Sequence, residues 1–415
     1  MKKKLIIIEP ECKSPSGHGL ISLEQYYLFL KKNKNIICIA NKKLNKKFFF
    51  CKKKIINHFV IGEEYFKIKK FIDFLYIVPK FIFFISKCSF LIFNIILDRK
   101  LKYFLNCFFL NSFKIPRYFP ELIRILKKLN LNKNDDIFFP SGRPISLQAL
   151  YFLIEVYPEY FPKVHFRIVH PIKNRGKKDN FYKYLNIFIK KNLIESKIFF
   201  YAENLYYKKT LEKYHNLKTV IFNGLHYIKN NKKFKKKVTI GFLGDSKKFK
   251  GFDKIPNIIN KIQNKKMKVD FIIQINNPQK ELQSSIKKIE LMSKVHKNIL
   301  IYYGKINNKL FHKLLNKINI IPLMYKKNRA KTFGSGFIYT AIGSGICLII
   351  PTNIENWKKN INGKSYLEAD SQIDYVKKLV FMIKKFKLFN KLAIRTKQNY
   401  YNDLNKNPLI QRLRS

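Results

Sequence analysis

A chain of 415 residues with 39 Phe and 24 Tyr is too long for one ordinary core, carries enough apolar surface for two, and is not a disordered polymer. Its formal net charge of +58 invites a nucleic-acid reading, yet only 10 of its 84 basic residues are Arg, and the Lys excess is spread along the chain with Asn, Ile and Phe. That pattern is codon composition rather than a face built to fork bases and phosphates, although it still draws the surface toward anionic lipids and phosphorylated substrates.

In chain order, MKKKLIIIEPE has only four apolar residues before Glu9, which predicts a first β-strand at Leu5–Ile8 rather than a signal peptide. A Ser/Pro/Gly loop follows, then a helix from about Leu20 to Lys31 and strands at Ile36–Ala40 and Ile55–Ile61. Phe71 to Leu97 is the most apolar stretch, but its cleanest part is shorter than the roughly 20 residues a spanning helix needs. It reads as a buried or partly exposed helix pair, or as an element lying in a membrane plane. Strands are then expected at Ile137–Phe139, Val164–Val169, Lys197–Tyr201 and Thr219–Phe222, with helices at Ile145–Glu155 and Asn204–Tyr214. Asn223 to Lys237 is a Lys-rich break and reads as an interdomain linker or a solvated loop.

The pattern restarts at Val238–Leu243 and continues with strands at Val269–Ile275, Ile299–Tyr303 and Ile318–Leu323. Helices are expected after Gly251, near Lys280–Ser293 and near Lys309–Asn316. Tyr325–Gly334 reads as a loop, Gly336–Ser344 as a helix, Cys347–Ile350 as a strand, and Gln372–Leu404 as helical. Repeated strand–helix alternation predicts an α/β protein of two parallel-sheet, Rossmann-like halves: domains 1–228 and 237–390, with a helical tail 391–415. The six cysteines form no CxxC pair and read as buried free thiols; no metal-ligand spacing is present, and no cofactor is expected.

Ligands of such sheets bind where strands end at their carboxyl side. Four loops there stand out. Ser16-Gly17-His18-Gly19 leads from the first strand into a helix, so backbone can approach a ligand closely; any strand–helix turn, however, favours Gly and Ser. In GFLGDSKKFKGFDK, Gly244 ends a strand and Lys250-Gly251 precede a helix, which outlines a phosphate site. Ser335-Gly336 opens an apolar helix that Gly345 closes, with first-turn N–H groups and the helix dipole free for an anion. His170 ends a strand in HFRIVHP, either aimed at a cleft or structural, and the loop after Pro140, through Arg143, is similar in kind.

With FLGDSKKFKGFD and FGSGFIYTAIGSGICLII at this spacing, the C-terminal half resembles GT-B glycosyltransferases, nearest to family 4. The resemblance implies two Rossmann-like domains facing a cleft and metal-independent transfer of a sugar from a nucleotide-diphosphate donor. The acceptor would be a cell-surface glycan or lipid-linked molecule, at the cytoplasmic face of a membrane. It assigns the donor diphosphate to Gly244, Lys250, Gly251, Ser335 and Gly336, the ribose to Thr340, and the acceptor loop to Ser16, Gly17 and Gly19. His170 or His18 would serve as catalytic base if the reaction inverts. Thr332 and Thr340 stand where the family usually has two Glu, and Asp245 where an Arg is common. A degenerate nucleotide-sugar or polyanion-binding protein of the same fold is therefore the alternative, with a nucleic-acid-binding protein as a third reading supported only by charge.

Overall fold

The computed structural model describes residues 3–10, 12, 18–31, 35–44, 55–59, 119–143, 146–151, 162–169, 185, 188, 196–225, 237–332, 336–358, 361 and 364–415. Phe71–Leu97, Ser16, Gly17, His170, Ser335 and linker residues 226–236 lie outside them. The chain divides into two compact units: Met1–Ser14 with Lys34–Tyr201, and Pro15–Asn33 with Ala202–Ser415.

The first sheet has seven strands: β1 (Lys4–Glu9), β2 (Asn35–Asn41), β3 (Ile55–Phe59), β4 (Asp136–Gly142), β5 (Lys163–Ile168), β6 (Ile198–Ala202) and β7 (Val220–Ile221). Their spatial order is β3-β2-β1-β4-β5-β6-β7. Helix α1 spans His18–Leu30, α2 Phe119–Lys128 and α3 Leu205–His215, while residues 146–151 are helical within the expected Ile145–Glu155 segment. β1 pairs in parallel with both β2 and β4. Leu5, Ile6 and Ile7 are fully buried, as expected for a strand covered on both faces.

The second sheet has six strands: β8 (Val238–Phe242), β9 (Val269–Ile275), β10 (Ile299–Tyr303), β11 (Ile320–Pro322), β12 (Cys347–Pro351) and β13 (Tyr366–Ala369). Every pairing in it is parallel, in the order β10-β9-β8-β11-β12-β13. This is the doubly wound order, which reverses direction between β8 and β11. The helices are α4 (Ile255–Asn264), α5 (Gln283–Val295), α6 (Asn308–Lys317), α7 (Lys327–Thr332), α8 (Gly336–Gly343), α9 (Glu355–Lys358), α10 (Gln372–Lys384), α11 (Phe386–Lys406) and α12 (Pro408–Arg414). Ile240, Phe271 and Ile273 of the sheet pack with Ile258, Ile259 and Leu379 of α4 and α10 in one core.

Three expectations change. Tyr325–Gly334 is not all loop, because α7 occupies Lys327–Thr332, with the Ala330 N–H donating to the Lys326 carbonyl. The strand expected from Ile318 begins at Ile320, since the Ile318 N–H closes the last turn of α6 on Leu314. The third is β13, which was not expected because YLEA is too short and mixed to stand out, whereas the segment from Gln372 is helical as expected, in two helices that meet at Lys385.

Glycine closes α8 in the second unit. The helix ends at Gly345, as the sequence predicts, and φ there is +64°. The Ile346 N–H reaches the Ala341 carbonyl and the Gly345 N–H the Ile342 carbonyl, a six-to-one and five-to-two closure that needs a left-handed residue. The last helices return to earlier chain: Asn407 Nδ2 donates to the Ile221 carbonyl at 3.1 Å, Tyr400 Oη to the Gly224 carbonyl at 3.4 Å, and the Arg414 guanidinium lies 4.6 Å from the Phe29 ring centre. Cys12, Cys38 and Cys347 are buried, as expected.

Candidate functional site

The sheet order reverses between β8 and β11, and the loops that leave these strands border one place. A pocket occupies that place and is lined by Gly244, Asp245, Lys250, Gln274, Tyr325 and Phe337, among others. Gly244 and Lys250 belong to the loop after β8, Tyr325 to the loop after β11, and Phe337 to the first turn of α8. Of the two C-terminal loop motifs, the one after β8 lines this pocket directly, and Gly336 of the other adjoins it through its neighbour Phe337.

The loop after β8 is held from below. Gly244 has φ +106° and its N–H donates to Gln274 Oε1 at 3.0 Å, while Gln274 Nε2 donates to the Gly304 carbonyl at 2.9 Å. Gln274 is a buried polar residue inside the apolar strand VDFIIQI and ties the ends of β8 and β10 together. Ser246 and Asn276 exchange hydrogen bonds across the next position, and the Lys248 N–H reaches Gln279 Oε1 at 2.7 Å. Lys248–Lys250 then form one 3-10 turn, capped by the Gly251 N–H on the Lys248 carbonyl. Gly251 has φ +78°, and a Cβ there would stand 2.4 Å from Met324 Cβ and 2.7 Å from the Met324 carbonyl oxygen. Only glycine lets the two loops touch. The Lys326 N–H completes the contact on the Phe249 carbonyl at 2.8 Å.

This framework fixes Lys250. Its Nζ lies 4.0 Å from where a Cβ on Gly244 would project and 3.7 Å from Asp245 Oδ2. Burial lowers its pKa below the ordinary lysine value; Asp245 opposes that shift and Lys247 adds to it. Asp245 is itself held by Asn276 Nδ2, which donates to its Oδ1 at 2.8 Å. The ammonium is therefore partly stripped of water and faced by one carboxylate, at a spot where an incoming anion would meet it.

Thr340 sits one turn into α8, is buried, and donates its hydroxyl to the Gly336 carbonyl at 3.0 Å. Tyr401 Oη donates to the Gly343 carbonyl at 3.0 Å, so α11 backs α8. His18 and Gly19 open α1 after β1, the strand beside the order reversal of the first sheet. Arg143 follows β4, the other strand at that point, and its carbonyl accepts from the Leu147 N–H as the next helix starts. Sequence reasoning missed Gln274, Asn276, Tyr325 and Phe337. Only Gln274 left a signal, as a single amide in a run of buried strand residues.

No protein-family model matches the sequence, and no curated protein matches it. Solved structures match over nearly the whole chain. A glycosyltransferase from Rickettsia africae is 13% identical with a TM-score of 0.58, covering 97% of this chain and 94% of its own. HepE from Anabaena, solved with UDP and glucose, is 8% identical with a TM-score of 0.55 over 96% and 95%. Sucrose-phosphate synthase from Thermosynechococcus elongatus is 8% identical with a TM-score of 0.56 over 97% and 94%. Two doubly wound sheets, a pocket at a strand-order reversal and this full-length likeness together give the chain the GT-B glycosyltransferase fold.

Proposed function

We propose that the chain is a glycosyltransferase that moves a sugar from a nucleoside-diphosphate donor to a glycan or lipid-linked acceptor. It works without a metal, in the cytoplasm at the periphery of a membrane. The domains are 1–228 for acceptor and 237–390 for donor, followed by a helical tail. Lys250 carries this reading: a partly buried ammonium in the pocket at the reversal of the second sheet, beside the first turn of α8. A departing diphosphate gathers negative charge, and a fixed cation together with helix N–H groups stabilises it as the glycosidic bond breaks. Lys250 and the backbone at Ser335-Gly336 supply that charge, while Gly244, its N–H held by Gln274, lets the donor come close to the loop backbone. Ser16, Gly17 and Gly19 would face the acceptor, with His18 or His170 as base if the configuration inverts.

The HepE structure with UDP and glucose shows what a chain of this fold accommodates. The test is a panel of nucleotide sugars and nucleoside diphosphates, scored by shift in melting temperature and by nucleotide release. Stabilisation by one donor with release of its diphosphate supports transfer; no stabilisation by any member sinks it.

A second reading is a binding protein that has lost turnover. Asp245 already neutralises Lys250 at 3.7 Å, and the Thr340 hydroxyl is committed to its own helix. Donor binding without any release or transfer of sugar, across glycan and lipid acceptors, decides for it.

A further inference from the structure

Helix α11 buries one stripe, formed by Phe386, Phe389, Ala393, Thr396, Tyr400 and Leu404. On the opposite side, positions 387, 388, 391, 394 and 395 fall within one 120° arc at about 100° per residue. They are Lys387, Leu388, Lys391, Ile394 and Arg395, and all are exposed. Leu388 is 55% exposed and Ile394 47%, which is unusual for large aliphatic side chains on a helix whose other face is well packed. Phe381, 49% exposed near the end of α10, stands at the bend at Lys385 with one edge against Phe389 of the buried stripe and the rest of its ring in solvent. Residues 375–402 hold eight Lys and Arg and no Asp or Glu.

We infer that the outward face of α11, with Phe381 at the bend, docks on an anionic lipid surface. The inference rests on the membrane-peripheral part of the proposed function and names the surface responsible. Charge chooses among possible occupants. A second copy of a chain with net charge +58 is repelled. A soluble polyanion would satisfy the bases and leave Leu388, Ile394 and Phe381 in water. A bilayer of acidic lipids takes both: aliphatic side chains enter the boundary between headgroups and tails, and the bases beside them meet phosphate. Because Tyr401 ties α11 to the end of α8, such docking brings the unit that carries the pocket to the lipid, where a lipid-linked acceptor is found.

The experiment is co-sedimentation of the full chain with phosphatidylcholine vesicles, with and without phosphatidylglycerol. The protein should pellet with the acidic vesicles and stay in solution with the neutral ones. The pair Leu388→Ser with Ile394→Ser should weaken acidic-vesicle binding at least about fivefold while leaving heparin binding unchanged. Phe381→Ser serves as an independent variant, and melting temperature controls for folding. Lys387, Lys391 and Arg395 changed together to Gln should weaken vesicle binding by more than Lys287, Lys288 and Lys294 on α5 changed in the same way. Retained binding in both serine variants, equal loss from the two charge sets, or equal binding to neutral vesicles would each overturn the inference. UDP binding is measured on the same proteins. A chain that binds acidic vesicles but no nucleotide removes the transferase reading and leaves the docking face. A chain that binds nucleotide but not vesicles removes the docking face alone.

Discussion

Lys250 is the residue whose chemistry is most exposed to test. Lys250→Ala should weaken donor binding by about tenfold or more, roughly 1.4 kcal/mol, with little change in melting temperature, read by calorimetry and thermal shift. Its lowered pKa gives a sign for pH. The unfolded chain holds this proton up to the ordinary lysine range, whereas the folded, empty site releases it earlier, so the residue's contribution to stability rises with pH across that window. Donor affinity runs the other way: it should fall as pH rises through the lowered pKa, and Lys250→Arg, always charged, should flatten that fall. Gly336 gives the companion test at the start of α8. Gly336→Asp should weaken donor binding more than Gly336→Ala, because it adds like charge as well as bulk where the anion would sit, while Asp remains a favourable residue near a helix start. Circular dichroism checks the fold, and an Asp variant that binds as well as the Ala variant removes the diphosphate from this turn. The motif Lys250-Gly251 was legible because a glycine before a helix marks a backbone need. Asp245 was legible only as a departure from the family pattern, since its partner Asn276 lies a whole strand away.

At the scale of elements, the proposed donor pocket depends on a strand that contributes no charge to it. Gln274 of β9 clamps the loops after β8 and β10 with one side chain. Gln274→Leu keeps the volume but takes away the acceptor of the partly buried Gly244 N–H and the donor to the Gly304 carbonyl. The expected loss is about 1–3 kcal/mol of stability, with donor affinity reduced as the Lys250 loop loosens; chemical denaturation and calorimetry measure the two. Unchanged donor affinity in a destabilised variant would reduce Gln274 to a structural link. Strand and helix positions were largely readable from apolar runs and turn residues, and β8, β9 and β10 fall where those runs predict. Helix α7 was not, because KNRAKT has no apolar face to give a period and is shaped by the loop it closes.

For the whole molecule, alternation of strands and helices fixes parallel sheets, but not their order. The two reversals of strand order come from which strand is laid against β1 and β8, a choice made by long-range packing that no local period records. The charge, by contrast, was fully visible and says least about the pocket. Changing Lys232, Lys233, Lys235 and Lys236 together to Gln should leave donor affinity within about tenfold. A larger loss in a folded variant would bring that segment into the site.

The return of the C-terminal helices to early chain sets an order of events during synthesis. Phe29 is made 385 residues before Arg414, the partner of its ring. At ordinary elongation speeds that is roughly 20 to 80 s of waiting. Helix α1, carrying the loop expected to face the acceptor, therefore emerges from the ribosome long before the surface that covers it. Until the chain reaches Asn407, the Ile221 carbonyl has to do without the side-chain donor it has in the folded second unit.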